Sequence, residues 1–185
     1  VSAALARARL ADAGRTWRVA VLPTGVDLER FKPVPRAEAR RALGLDPDGR
    51  YLLFPASPAR AEKRHDRAQE LAVAAGAELL SYDATPPERV PLYVNAAAAV
   101  VVTSEREGFG LATLEALACQ VPVLSTNVGI APPALAGIDG TLAAPFDLPA
   151  WSGLAKRHLG REDPRQSVDL GDEPGEGVLV DQRDA

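Results

Sequence analysis

Methionine is absent from this 185-residue chain, and cysteine occurs once, at Cys119. A single thiol excludes an internal disulfide and a cysteine-based zinc site, so Cys119 reads as a small buried residue. The only histidines, His65 and His158, lie far apart, with no set of cysteines and carboxylates at ligand spacing around them, and no metal site is expected. Positive charge is not in excess: 21 Lys and Arg face 25 Asp and Glu, giving a net charge of −4 and a pI near 5.3. That balance argues against a general nucleic-acid or anionic-membrane binder. Long hydrophobic runs are missing too, and none approaches the ~20 residues of a membrane span. Residues 1–9 have an amphipathic helix pattern and no cleavable signal, which makes a cytoplasmic setting the default expectation. Ser104, Ser125 and Thr126 lack a paired histidine and a nucleophile-elbow pattern, which argues against a hydrolase triad. There is no Walker loop, and Gly108-Phe109-Gly110 lacks the third glycine of a dinucleotide fingerprint.

What remains is an ordinary globular composition, 46% hydrophobic and 25% charged, in a length suited to one domain with a sizeable core. Helix and strand signals alternate. Residues 1–16 read as a linker helix, and Trp17 to Leu22 as a strand ended by Pro23-Thr24-Gly25. A short helix over 36–43 stops at Gly44. Tyr51 to Phe54 is a compact apolar strand, 62–75 a helix, 77–82 a strand and 87–95 a short helix. The run 96–103 is continuously apolar, as expected when helices cover both faces of a sheet. A helix over 111–119, a strand over 121–125, a loop, a short strand at 141–143 and a helix over 148–158 complete the domain. Strands spaced by helices imply parallel βαβ units, and so an α/β fold with a doubly wound parallel sheet. The domain is expected to span 17–159. Residues 160–185 read as an acidic, flexible or loosely docked tail, because apolar residues are few and acids outnumber arginines. Trp17 and Trp151 are assigned to the core.

Chemistry concentrates in Glu107-Gly108-Phe109-Gly110-Leu111-Ala112-Thr113-Leu114-Glu115. A strand end, a glycine turn and a helix N-terminus form a phosphate site: Gly108 and Gly110 allow close backbone approach, and N–H groups from Phe109 to Leu111 point outward. The carboxylates on either side can accept hydrogen bonds from sugar hydroxyls. With the helix starting near Gly110, Glu115 lies ~7 Å along its axis, and the two acids stand on the order of 10 Å apart. A sugar diphosphate bent over the turn would place its sugar near Glu107 and its ribose near Glu115. The competing reading is a solvated Glu107 and an ordinary helix-surface Glu115. A second feature is the basic loop 57–66, where Arg60, Lys63 and Arg64 come after a strand end. Cations there suit a diphosphate leaving group, whose charge grows as the sugar departs. The bland alternative is a set of surface charges. Thr24 and Gly25, after the first strand, offer a third turn with a hydroxyl and N–H groups.

Taken together, these residues resemble a known family. The stretch from Ser104 to Ser125 is similar to the donor-site signature of the family-four retaining glycosyltransferases, which have the GT-B fold. Val21 to Phe31 looks like the segment opening their C-terminal domain, while Gly129 and the run 137–147 fall where their later loops would. The match covers residues 18 to 159 in the expected order. The resemblance implies a Rossmann-like half of a GT-B fold that binds a nucleotide-diphosphate sugar without a metal cofactor and transfers the sugar with retention of configuration. Glu107 would contact donor-sugar hydroxyls, Glu115 the ribose, and Lys63, helped by Arg60, the departing diphosphate. The Thr24-Gly25 turn would shape the interdomain hinge. A start inside this hinge-like segment, with no Met at position 1, leads to the expectation of a fragment. An N-terminal acceptor-binding domain would be missing, and the donor half would be inactive alone.

Three departures from the family pattern stand out. Ser57 occupies the place of the usual loop arginine, Gln120 that of a helix-ending glycine, and Pro133 that of an acid supporting the sugar loop. They keep two alternatives open: a non-catalytic nucleotide-sugar-binding module, and a nucleotide-sugar epimerase on the same scaffold.

Overall fold

The computed structural model describes residues 24–83 and 85–167. The expected linker helix at 1–16, the strand at 17–22 and residues 168–185 lie outside that range. Along the described chain run α1 (Arg36–Leu43), β1 (Tyr51–Phe54), α2 (His65–Ala75), β2 (Glu78–Ser81), α3 (Val90–Ala96), β3 (Ala99–Val102), α4 (Leu111–Ala118), β4 (Val123–Ser125), α5 (Ala131–Leu135), β5 (Leu142–Ala143) and α6 (Leu148–Leu159). Single 3₁₀ turns sit at Ala61–Lys63, Pro87–Arg89 and Pro164–Ser167.

The five strands are all parallel, in the order β2-β1-β3-β4-β5. Alternate side chains of each strand feed two cores, one on either face of the sheet. On one face Tyr51, Leu53, Val100, Val102 and Val123 pack against α1, α3, α4 and α5 through Ala39, Val94, Ala116, Cys119, Ala131 and Leu135. On the other, Leu52, Phe54, Ala99, Val101 and Leu124 meet α2 and α6 through Ala68, Leu71, Ala72, Trp151 and Leu154. Trp151 is fully buried there, its indole N–H donating to the Pro145 carbonyl at 3.2 Å. Both faces of β1 and β3 are covered, which explains why they read as unbroken apolar runs. The expected α/β doubly wound parallel sheet is the fold observed.

The topology also says where a ligand fits. The helix leaving β1 packs on one face and the helix leaving β3 on the other, so the chain switches its direction of winding between these neighbouring strands. Helices diverging from adjacent strands leave a crevice above their carboxyl ends.

Three expectations need correction. The helix expected over 62–75 is broken: a 3₁₀ turn ends at Arg64, which takes a left-handed φ of 54°, and α2 starts at His65. The loop expected between β4 and β5 contains α5. Pro132 and Pro133 fall in its first turn, where N–H groups have no intrahelical acceptor, so proline does not interrupt it. Finally, packed structure does not end at 159. Asp163 and Arg165 are buried, and their ion pair spans 2.7 Å. Arg165 also donates to Asn95 Oδ1 at 2.9 Å and to the Asn95 carbonyl at 3.1 Å, while Asp163 Oδ2 accepts from the Arg36 N–H at 2.6 Å. The first residues of the expected tail therefore clamp α1 to the end of α3.

Candidate functional site

At the carboxyl ends of β1 and β3 lies a hollow of about 200 Å³. It is lined by Phe54, Pro55 and Ala56 at and just past the end of β1, Val102 and Ser104 at and just past the end of β3, Lys63 of the basic loop, Glu107 of the turn, and Gly110 to Thr113 with Glu115 at the start of α4. Tyr82, just past β2, also lines it, within the field of Glu115. Five residues that the sequence assigned to the site, Lys63, Glu107, Gly110, Leu111 and Glu115, line this one hollow.

Lys63 and Glu107 meet directly. The ammonium lies 2.6 Å from both carboxylate oxygens, and the Ser104 hydroxyl donates to Glu107 Oε1 at 2.7 Å. Both charged side chains are largely enclosed, 12% and 13% exposed, so this is not a solvent-screened surface pair. Each partner is held from beneath. The Thr103 hydroxyl lies 2.9 Å from the carbonyl oxygens of both Lys63 and Arg64, and the Glu105 N–H donates to the Glu62 carbonyl at 2.9 Å, tying the basic loop to the end of β3. On the other flank the Thr126 hydroxyl donates to the Ser104 carbonyl at 2.5 Å. The left-handed Arg64 is stabilised by its guanidinium, which reaches Asp66 at 2.6 Å and Glu105 at 2.7 Å. That turn aims Lys63 inward.

The glycine turn is shaped from outside. Gly110 caps α4 with φ 92°, and the first N–H groups of α4 have no carbonyl of their own helix to bond. Gly129 sits against the turn with φ 55°, so close that a Cβ there would come within 2.3 Å of the Phe109 carbonyl oxygen. The neighbouring Ile130 N–H donates to that oxygen at 2.7 Å. This fixes the Phe109 peptide, while Gly108 and Phe109 do not themselves line the hollow.

Glu115 occupies a different environment from Glu107. Its carboxylate accepts no hydrogen bond among the described residues, and burial raises its pKa above the ordinary carboxylate value, with only partial relief from Arg30. Beside it the Tyr82 phenol is also pushed upward, by burial first and by the charge of Glu115 second. The Tyr82 ring packs edge-on against Tyr93 at 6.1 Å.

Several expected site residues are elsewhere. The exposed Arg60 turns to Glu62 at 2.7 Å and does not line the hollow. Ser57, in the place of the usual arginine, accepts from the Ala59 N–H at 3.3 Å. Thr24 and Gly25 are exposed and do not line it either. Sequence reasoning missed Ser104 and Tyr82 as site residues. Ser104 carries a signal in retrospect, standing three residues before Glu107 at a strand end; Tyr82 carries none. Among the described residues, no three His, Cys, Asp or Glu lie together as metal ligands, and no helix is long and apolar enough to cross a membrane.

Comparison with known proteins places this geometry in a family. Residues 44–166 match the family described as Glycosyl transferases group 1. The chain belongs to that family. Among curated proteins it is 34% identical over 184 aligned positions to a D-inositol 3-phosphate glycosyltransferase of Actinosynnema mirum, covering 76% of this chain and 43% of that one. The chain spans less than half the length of the first relatives it matches. Two solved structures share the fold. WaaG, a glycosyltransferase involved in lipopolysaccharide biosynthesis, superposes with a TM-score of 0.60 at 19% identity, over 77% of this chain and 47% of that one. The C-terminal domain of a group 1 glycosyl transferase (LpcC) from Francisella tularensis gives 0.57 at 18% identity, over 74% and 93%. This group 1 glycosyl transferase chain thus has the Rossmann-like fold of a GT-B half, and its hollow lies at the switch point of its own sheet.

Proposed function

We propose that this domain holds the nucleotide-diphosphate sugar of a retaining glycosyltransferase and that an acceptor-binding domain completes the catalytic cleft. The supporting observation is that Lys63, Glu107, Glu115 and the N-terminus of α4 converge on one hollow at the topological switch point. The diphosphate lies against Lys63 and the α4 N–H groups, where a cation and the positive helix end both favour negative charge. Glu115 and Tyr82 take the nucleoside end, with the open carboxylate of Glu115 accepting ribose hydroxyls. Glu107 faces the sugar. When the anomeric C–O bond breaks, the electron pair passes to a β-phosphate oxygen, whose growing charge Lys63 stabilises, while the acceptor hydroxyl oxygen bonds to the anomeric carbon and its proton passes to the departing phosphate. Glu107 steadies the positive charge left at the anomeric carbon. The role expected of a metal ion falls to the side-chain cation and the helix end, so none is required in this proposal. The curated relatives make a polyol phosphate the first acceptor to try with a two-domain protein.

A thermal-shift panel of uridine, guanosine and adenosine diphosphates and their sugar conjugates tests this reading. A ligand at a hundred times its dissociation constant adds about 2.7 kcal/mol of stability. Lys63→Met is expected to weaken the responding ligand by roughly tenfold to a hundredfold, the range for a hydrogen bond to a charged group. Absence of any response from the wild-type chain overturns the assignment.

A further inference from the structure

We propose that Glu107 is a selectivity residue: by competing with diphosphate for Lys63, it makes the site prefer an intact sugar donor over the bare nucleoside diphosphate left after transfer. This inference rests on the donor-binding reading above and goes beyond it, because it assigns Glu107 a role in ligand discrimination as well as in contact with the sugar.

Three contacts support this role. The Lys63 ammonium lies 2.6 Å from each Glu107 oxygen, so the carboxylate engages this cation much as a phosphate would. The pair lines the hollow and is largely enclosed, which strengthens the attraction relative to a surface pair. Ser104, fixed through its carbonyl by Thr126, holds Glu107 in place by its hydroxyl. A diphosphate that engages Lys63 must therefore take N–H donors away from Glu107. The cost of that loss depends on the rest of the ligand. An intact donor brings sugar hydroxyls to the same carboxylate and replaces the lost bonds. A bare diphosphate brings none, leaving Glu107 enclosed with Ser104 alone and its charge close to the new phosphates. A largely enclosed carboxylate that loses its cation is destabilised far more than one handed to other donors. Discrimination thus comes from the penalty imposed on the ligand lacking a sugar. It favours product release after each transfer.

The test uses isothermal calorimetry on the full chain, with uridine, guanosine and adenosine diphosphates and UDP-glucose, UDP-N-acetylglucosamine, GDP-mannose and ADP-glucose as probes. The diphosphate that binds the wild type is compared with its own sugar conjugate in Glu107→Gln, Glu107→Ala, Lys63→Met and Lys63→Met/Glu107→Gln. Circular dichroism checks that each variant folds, and the two Glu107 substitutions back each other up. In Glu107→Gln the bare diphosphate is expected to bind about tenfold more tightly than in the wild type, and the sugar conjugate about tenfold more weakly. In the Lys63→Met background the Glu107 substitution should no longer tighten the diphosphate. Tightening of both ligands, or tightening that persists without Lys63, shows simple charge repulsion and overturns the proposal. Binding to the wild type with no tightening in either Glu107 variant overturns it while leaving the donor-domain reading intact. If no probe binds any form, both fall together.

Discussion

The two ends of this sheet both bury charge, and they treat it in opposite ways. At the amino ends of β3 and β4, Arg165 is shared among Asp163, the Asn95 side chain and carbonyl, and the Cys119 carbonyl. Asn95 completes the set by accepting from the Val34 N–H at 2.9 Å and donating to the Lys32 and Pro91 carbonyls. Arg36 Nε is the exception, buried there without a partner. At the carboxyl ends, Lys63 and Glu107 hold each other in the lining of a hollow, and the carboxylate of Glu115 accepts nothing among the described residues. Burial of a polar group costs free energy unless it is hydrogen-bonded, so a saturated cluster reads as architecture and an open one as a binding site. Both ends of the domain are polar. The difference lies in whether the chain itself supplies the partners.

The sharpest way to break this comparison is to remove Asp163. Its carboxyl is buried, which alone would raise its pKa, but Arg165 and the Arg36 N–H prevail and hold it below the ordinary carboxylate value. Asp163→Ala leaves the Arg165 guanidinium buried without its counter-ion, and loss of about 3 kcal/mol is expected in urea unfolding. The pH dependence has a definite sign. A carboxyl with a depressed native pKa stabilises above its unfolded value of about 3.9, and that stability is lost as pH falls through the lower native value. Asp163→Asn should therefore flatten the acid limb of the stability profile below about pH 4. Should either variant lower nucleoside-diphosphate affinity while leaving stability unchanged, the assignment of the amino end to architecture fails.

Gly129→Ala tests the opposite end. The added Cβ would meet the Phe109 carbonyl at 2.3 Å on a backbone with φ 55°, and the turn carrying Glu107 must move to admit it. About 2 kcal/mol of stability should be lost, the strain expected of overpacking at a left-handed position. Donor affinity should fall with it, whereas the Asp163 variants change stability alone. Calorimetric binding beside urea titration separates the two patterns.

Glu115→Gln should behave in reverse. A carboxyl whose native pKa is raised by burial destabilises the fold at neutral pH, and stability rises as pH falls through that raised value toward about 4.3. Replacing it with the neutral amide is expected to raise the melting temperature and to weaken nucleoside-diphosphate binding by about tenfold. A lower melting temperature would mean that Glu115 is an architectural charge after all.

This contrast explains what the sequence could reveal. Apolar runs at 51–54 and 99–102 between amphipathic segments made the parallel sheet legible, because burial on both faces leaves its mark in every residue of a strand. Lys63, Glu107 and Glu115 were legible because residue type, strand end and helix start coincide there. Asp163 and Arg165 were not, because a count of charges over 160–185 cannot distinguish an ion pair folded inward from one in water. Tyr82 was hidden for a related reason: its place in the hollow depends on where β2 ends in space, and nothing local to 78–82 encodes the position of Glu115. Likewise, Arg60 and Lys63 look equivalent in a basic loop, and only the left-handed Arg64 turn, pinned by Thr103, sends one inward and leaves the other with Glu62.

The smallest expected effect concerns backbone strain, which occurs once at each end. Arg64 and Gln120 are the described non-glycine residues with positive φ, 54° and 56°. Gln120 ends the α4 segment: its N–H donates to the Leu117 carbonyl, and the Val121 N–H to the Ala116 carbonyl, both at 2.9 Å. A left-handed residue with a Cβ costs about 1 kcal/mol relative to glycine in that conformation, offset in part by the freedom glycine has when unfolded. Gln120→Gly should accordingly stabilise the domain by roughly 0.5 kcal/mol and leave ligand affinity unchanged. Arg64→Gly relieves a similar strain but removes the guanidinium that anchors the turn to Asp66 and Glu105. Lys63 then loses its fixed approach to Glu107, and nucleoside-diphosphate affinity should fall even if stability holds. Equal affinities for the two glycine variants, measured in one titration series, would show that strain at the carboxyl end does not position Lys63.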